Sequence, residues 1–129
     1  MTKRLMSAIL VAMVLAAGGG VAAHHSFAPF NTEIEKTITG VVNRFEWTNP
    51  HTWLWVDVTD EKGAVTTWGV EGMSPNYLSR RGWSKTTFKP GDKVTAVVRP
   101  MRDGSPAGMF VRATLADGKQ LTFGAGPAQ

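Results

Sequence analysis

The sequence predicts an all-β fold, a small OB-like barrel of five to six strands with one short helix between strands 3 and 4. Three observations carry this expectation. Residues Trp53 to Thr59 alternate strictly, with Leu54, Val56 and Val58 on one face and Trp53, Trp55, Asp57 and Thr59 on the other. Strand-like runs come as three, then a helix start, then two or three more, which is the order of a five-stranded Greek-key barrel. The first run is long and carries Gly40, as expected of a strand that bends to pair on both sides.

Ahead of the barrel, Met1 to Ala23 reads as a secretory signal peptide. Lys3 and Arg4 form its positive start, Leu5 to Ala17 its apolar middle and Gly18 to Ala23 its small-residue end. The apolar run falls short of the roughly 20 residues that a permanent membrane helix needs. We therefore expect cleavage near Ala23, a periplasmic location and no stable membrane anchor afterwards. The chain of 129 residues contains no cysteine, so neither disulfides nor thiolate metal sites are available to it. About 100 residues remain after cleavage, enough for one domain held by its core alone. Loss of Lys3 and Arg4 also lowers the formal charge by two from +4. No dense basic stripe remains, which argues against nucleic acid as a partner.

Residues 24–35 form an N-terminal arm without clean periodicity, in which Phe27 and Phe30 can pin the arm to the body. The barrel domain is expected over residues 36–124, starting with a strand from Lys36 to Trp47. Asn49-Pro50 is a turn signal, because proline fixes φ and keeps its predecessor out of the helical region. The turn presents His51 at a loop tip framed by Trp47, Trp53 and Trp55. Asp60-Glu61-Lys62-Gly63 is a hairpin turn, and Ala64 to Glu71 returns as the third strand. Ser74-Pro75 is a helix start and Gly82 a stop, predicting about two turns. Phe88 to Asp92 is a turn, Lys93 to Arg99 the fourth strand, Met101 to Gly108 a loop and Met109 to Leu115 the fifth strand. Asp117-Gly118 predicts a hairpin into Gln120 to Phe123, and residues 125–129 are expected to fray.

Two kinds of site follow from the residue types. All three histidines fall in two places, His24 and His25 at the expected mature start and His51 at the turn. A freed amine and imidazoles make a compact all-nitrogen set, which suits copper best and zinc less well. The bland alternative is a solvated terminus and a histidine that only caps its turn. The second site is aromatic. Trp47, Trp53, Trp55 and Trp68, with Asn49 and Glu71, could hold a small apolar ligand, a sugar or a periplasmic protein partner. The alternative is that the N-terminal arm covers those rings as a second small core. Glu46 and Glu71 could in principle work as acid and base, but no serine nucleophile motif, phosphate-binding loop or dinucleotide fingerprint accompanies them. Arg80, Arg81 and Lys85 read as a solvated face.

Several segments together resemble a family of small exported bacterial proteins known only as a domain of unknown function. They are His24-His25-Ser26-Phe27, Trp47-Thr48-Asn49-Pro50-His51, Trp68-Gly69-Val70-Glu71-Gly72 with Ser74-Pro75-Asn76, Arg81-Gly82-Trp83 and Lys89-Pro90-Gly91-Asp92. The resemblance spans nearly all of the expected mature chain, departing at Asn31, where the family pattern has an acidic residue. It implies export and architecture but no chemistry. The reading is a periplasmic binding protein, not an enzyme. It binds copper through His24, His25 and His51, or is a metal-free module using the tryptophan face.

Overall fold

Six strands and one helix follow one another along residues 28–123, the part of the chain that the computed structural model describes. They are β1 (Lys36–Glu46), β2 (Trp53–Thr59), β3 (Val65–Glu71), the helix α1 (Pro75–Ser79), β4 (Lys93–Pro100), β5 (Ala107–Leu115) and β6 (Gln120–Thr122). The expected signal segment, His24, His25, Phe27 and the tail 125–129 lie outside the described residues. Antiparallel pairing runs in the order β3-β2-β1-β4-β5-β6. A parallel pairing of β3 with β5, from Gly69↔Ala107 to Glu71↔Met109, closes five strands into a barrel and leaves β6 as an extra strand on β5. This is the all-β, OB-like arrangement that the sequence predicts.

Closure depends on β1 serving two neighbours. Lys36 to Val41 pairs with β4 and Val41 to Glu46 with β2, so Val41 faces both Lys93 and Asp57 in register. A Cβ at Gly40 would stand 2.2 Å from the backbone oxygen of Asp57, which is why the bend carries glycine. Of the bulge or sharp bend that Gly40 suggests, the bend is at Gly40 and the bulge lies three residues on. The register slips between Val42 and Arg44, leaving Asn43 as the extra residue.

The inward face of β2, Leu54 and Val56, is buried with Ile38, Val42, Val70, Val94, Ala96, Val98, Phe110 and Leu121. Each such side chain contributes roughly 1.5–3 kcal/mol by leaving water. Ser74 caps α1 by accepting from the backbone N–H of Tyr77, with Pro75 at the start, as predicted. The helix stops at Ser79, short of two turns, because the Leu78 carbonyl accepts from both Arg81 and Trp83 as the chain turns away through Gly82 at φ 81°. That turn drives Leu78, Trp83 and Phe88 into the core, where Trp83 meets Phe88 and Phe110 edge-on.

The start of β5 differs from expectation, whereas the pinning of the arm follows it. β5 begins at Ala107, before Met109, because Gly69 donates to the Pro106 carbonyl and draws the expected loop into the sheet. The arm is pinned by Phe30, which is buried and bridges to Met101, while Asn31 donates to the Pro100 carbonyl.

Candidate functional site

The outer face of β2 is organised by register. Trp53 lies between Glu46 of β1 and Glu71 of β3, Trp55 between Arg44 and Gly69, and Asp57 between Val41 and Thr67. Gly69 has no side chain, and a Cβ there would come within 2.9 Å of Trp55 Cζ3, so the Trp55 ring lies over β3. The Arg44 guanidinium sits 4.4 Å from the centre of the Trp55 ring and is held by Glu46 at 2.8 Å. Trp53 and Trp55 stack with centroids 5.8 Å apart and planes 21° apart. The exposed Arg44 and the half-buried Trp55 and Trp53 thus form one slab across the sheet. The Trp55 Nε1 is buried without a hydrogen-bond partner.

The turn that leads into this slab is anchored from below. Thr52 is 1% exposed, and its Oγ1 and backbone N–H both donate to the Met73 carbonyl, at 2.9 and 3.1 Å. Gly72 in turn donates to the Thr52 carbonyl at 2.8 Å. The Asn49–Pro50 peptide is cis. With Thr52 fixed, His51 points to β3, and its Nδ1 meets Oε1 of Glu71. A carboxylate only accepts, so Nδ1 carries the proton and, in the neutral ring, Nε2 carries the lone pair.

At the other end of the slab, Asp57 accepts from Asn43 Nδ2 at 2.9 Å and from Thr67 Oγ1 at 2.7 Å. These two bonds, Asn43 first, hold its carboxyl below the usual aspartate range, with the Arg44 charge adding to them.

Of the residues singled out in the sequence, the fold gathers Trp53, Trp55, Glu71 and His51 on one face. Asn49 is exposed in the turn above them. Trp47 is half-buried and meets Phe45 edge-on at 5.8 Å, packed against the core. Trp68 is not part of the face. It pairs with Val56, points into the barrel and is 9% exposed, with Lys36 Nζ 4.8 Å from its ring centre. Alternation along β3 explains this, since Trp68 and Val70 share the inner side while Gly69 and Glu71 share the outer. His24 and His25 lie outside the described residues. Among the described residues, no three of His, Cys, Asp or Glu stand together as a metal group.

Residue typing missed Arg44, Asn43 and Thr67, whose neighbours depend on register after the bulge, and Thr52, a small polar residue in an apolar setting. Gly69 did carry a signal, because glycine inside a strand marks a close approach.

A family model described as a family of unknown function (DUF6152) matches residues 11–112. No curated protein and no solved structure matches the chain.

Proposed function

The chain belongs to that family of unknown function, and from its own residues we propose that it is a periplasmic binding module, not an enzyme, whose working surface is the outer face of β2 and β3. The observation that carries this reading is the Trp53–Trp55 stack, bounded by the His51–Glu71 pair at one end and the Asp57 cluster at the other. Flat aromatic rings edged by a few polar groups suit a small apolar or ring-shaped ligand such as a sugar, or a side chain of a protein partner. Glu46 pairs with Arg44 and Glu71 with His51, and no nucleophile or cofactor-binding motif accompanies either carboxylate. Titration with cellotriose and with indole, followed by tryptophan fluorescence and by amide shifts of residues 51–57 and 67–71, tests the reading. Saturable shifts confined to this face and lost in Trp53→Ala support it. Shifts that persist in Trp53→Ala, or none with either probe, count against a ring-binding face.

A second reading, a copper site, is favoured by one observation. A carboxylate on Nδ1 is the usual outer partner of a metal-ligating histidine, because it fixes the ring and leaves Nε2 as the donor. His24, His25 and the freed amine would supply the remaining nitrogens. Cu(II) titration of the processed protein decides between the readings. Tight binding lost in both His24→Ala and His51→Ala supports copper, whereas binding indifferent to His51→Ala removes it.

A further inference from the structure

On the other side of β1 from the tryptophan slab, an open groove of about 510 Å³ runs between the loop after α1 and the β5–β6 hairpin. It shares no lining residue with the slab. Lys89, Lys93 and Lys119 line it, with Ser84, Thr86 and Thr87 along one wall and Leu115 and Leu121 at its base. The three lysines come from three separate segments: the turn before β4, the first residue of β4 and the hairpin after β5. Two aspartates, Asp92 and Asp117, also line the groove, so its charged lining is net positive by one; each of them also closes its own turn. Asp92 accepts from the backbone N–H of Lys89 and Asp117 from that of Lys119, both at 2.9 Å. The ion pairs among the described residues are Arg44–Glu46, His51–Glu71 and Arg112–Glu35, so none of the three ammonium groups is paired.

We propose that this groove binds a phosphate-bearing anion. Lysine acts as a point charge on phosphate, and three unpaired lysines against two turn-bound aspartates leave a net positive groove suited to an anion that spreads its charge over several oxygens. The hydroxyl wall adds neutral donors: Ser84 and Thr86 hydroxyls bond each other at 2.9 Å, which leaves one of their two protons for a ligand, and Thr87 Oγ1 accepts from the backbone N–H of Ser84 at 2.8 Å, which leaves its own proton. The volume falls within the 300–1,000 Å³ range of small-molecule sites. A free small molecule and a lipid headgroup present the same phosphate chemistry, and the test separates them.

The test uses inorganic pyrophosphate and vesicles of phosphatidylglycerol or phosphatidylcholine. Pyrophosphate is expected to move the amide signals of residues 84–93 and 115–121 and leave those of 51–57 in place. Lys93→Gln with Lys119→Gln should weaken this about tenfold, whereas Lys36→Gln with Lys62→Gln, which removes the same charge elsewhere, should change it less than about twofold. Sedimentation with phosphatidylglycerol but not phosphatidylcholine vesicles, lost in the same groove variant, assigns the lipid source. Pyrophosphate binding without sedimentation assigns a free phosphate compound. Absence of groove shifts at about 10 mM pyrophosphate, or equal weakening by the two double variants, overturns the proposal, because only diffuse surface charge would then be at work.

Discussion

Glu71 reaches from the end of β3 to the Nδ1 edge of His51, although its register partner across the sheet is Trp53. One carboxylate therefore touches the turn and borders the aromatic slab at the same time. The turn and the sheet face act as one unit, and disturbing either should be felt in the other.

Replacing Glu71 should remove the acceptor that holds Nδ1 of His51. In the native protein the neutral ring carries its proton on Nδ1, because Glu71 can only accept. Glu71→Ala should shift the population to the Nε2-protonated form, read from long-range ¹⁵N–¹H correlations of the imidazole. The pair is partly exposed, at 30% and 21% of the two side chains, so the stability cost should be modest, about 1 kcal/mol. An unchanged ring pattern in Glu71→Ala would show that the contact does not orient His51.

Thr52 is the anchor beneath the same turn. Thr52→Val keeps the shape but removes the Oγ1 donor to the Met73 carbonyl, which still receives the Thr52 backbone N–H. A cost of about 1 kcal/mol in urea unfolding is expected, together with faster amide exchange across residues 48–52. A turn as protected as in the parent chain would mean that Thr52 serves packing alone.

How much of this was open to sequence reading depends on distance along the chain. The strict alternation of Trp53 to Thr59 and the Ser74-Pro75 helix start are local signals, and both hold. The parallel β3–β5 seam joins residues about forty positions apart, and Pro106 and Gly108 disguise its second strand as loop. Gly108 is there because a Cβ would come within 2.8 Å of the Arg99 carbonyl oxygen. Gly40 marks the bend legibly, but the bulge at Asn43 carries no glycine and shows only in the register. The aromatic plug of Trp83 and Phe88 follows no period, since it comes from an irregular loop. At the site, Trp53, Trp55, His51 and Glu71 could be read from spacing, but the Arg44 cover and the Asn43–Asp57–Thr67 cluster needed the register.

Gly40 offers a sharp test of the bend. An added methyl would run into backbone of β2 at Asp57 and into the Val56 side chain at 2.9 Å, neither of which can step aside. Gly40→Ala should cost about 3 kcal/mol or prevent closure. Gly63, at φ 83° in the β2–β3 turn with open space around it, should cost about 1 kcal/mol on the same change. Equal costs measured by urea unfolding would contradict a steric role for Gly40.

Acid should expose the Asp57 cluster. Its carboxyl is held below the ordinary aspartate value of about 3.9, chiefly by the Asn43 hydrogen bond and then by Thr67. Folding therefore favours the ionised form. The resulting stabilisation is fully present above the unfolded value and fades as pH falls through the depressed folded one. Asn43→Ala with Thr67→Val should raise the Asp57 titration seen by carboxyl ¹³C NMR and flatten the loss of stability below about pH 4. Asp103, held low mainly by the Ser105 hydroxyl, should not move in that variant.

The two kinds of tryptophan separate binding from folding. Trp68 is inside the barrel against Val56, and its loss should leave a cavity costing about 3–5 kcal/mol. Trp53 lies on the outer face, half-buried, with its stacking partner Trp55 already supported by Gly69 and Arg44. Trp53→Ala should cost only about 1 kcal/mol, the value of an aromatic pair beyond its buried area, yet abolish whatever the slab binds. Unfolding midpoints and probe titrations on the two variants give independent readouts. If Trp53→Ala destabilises the fold as strongly as Trp68→Ala, the slab is a second core that serves folding, and the binding surface has to be sought elsewhere on the barrel.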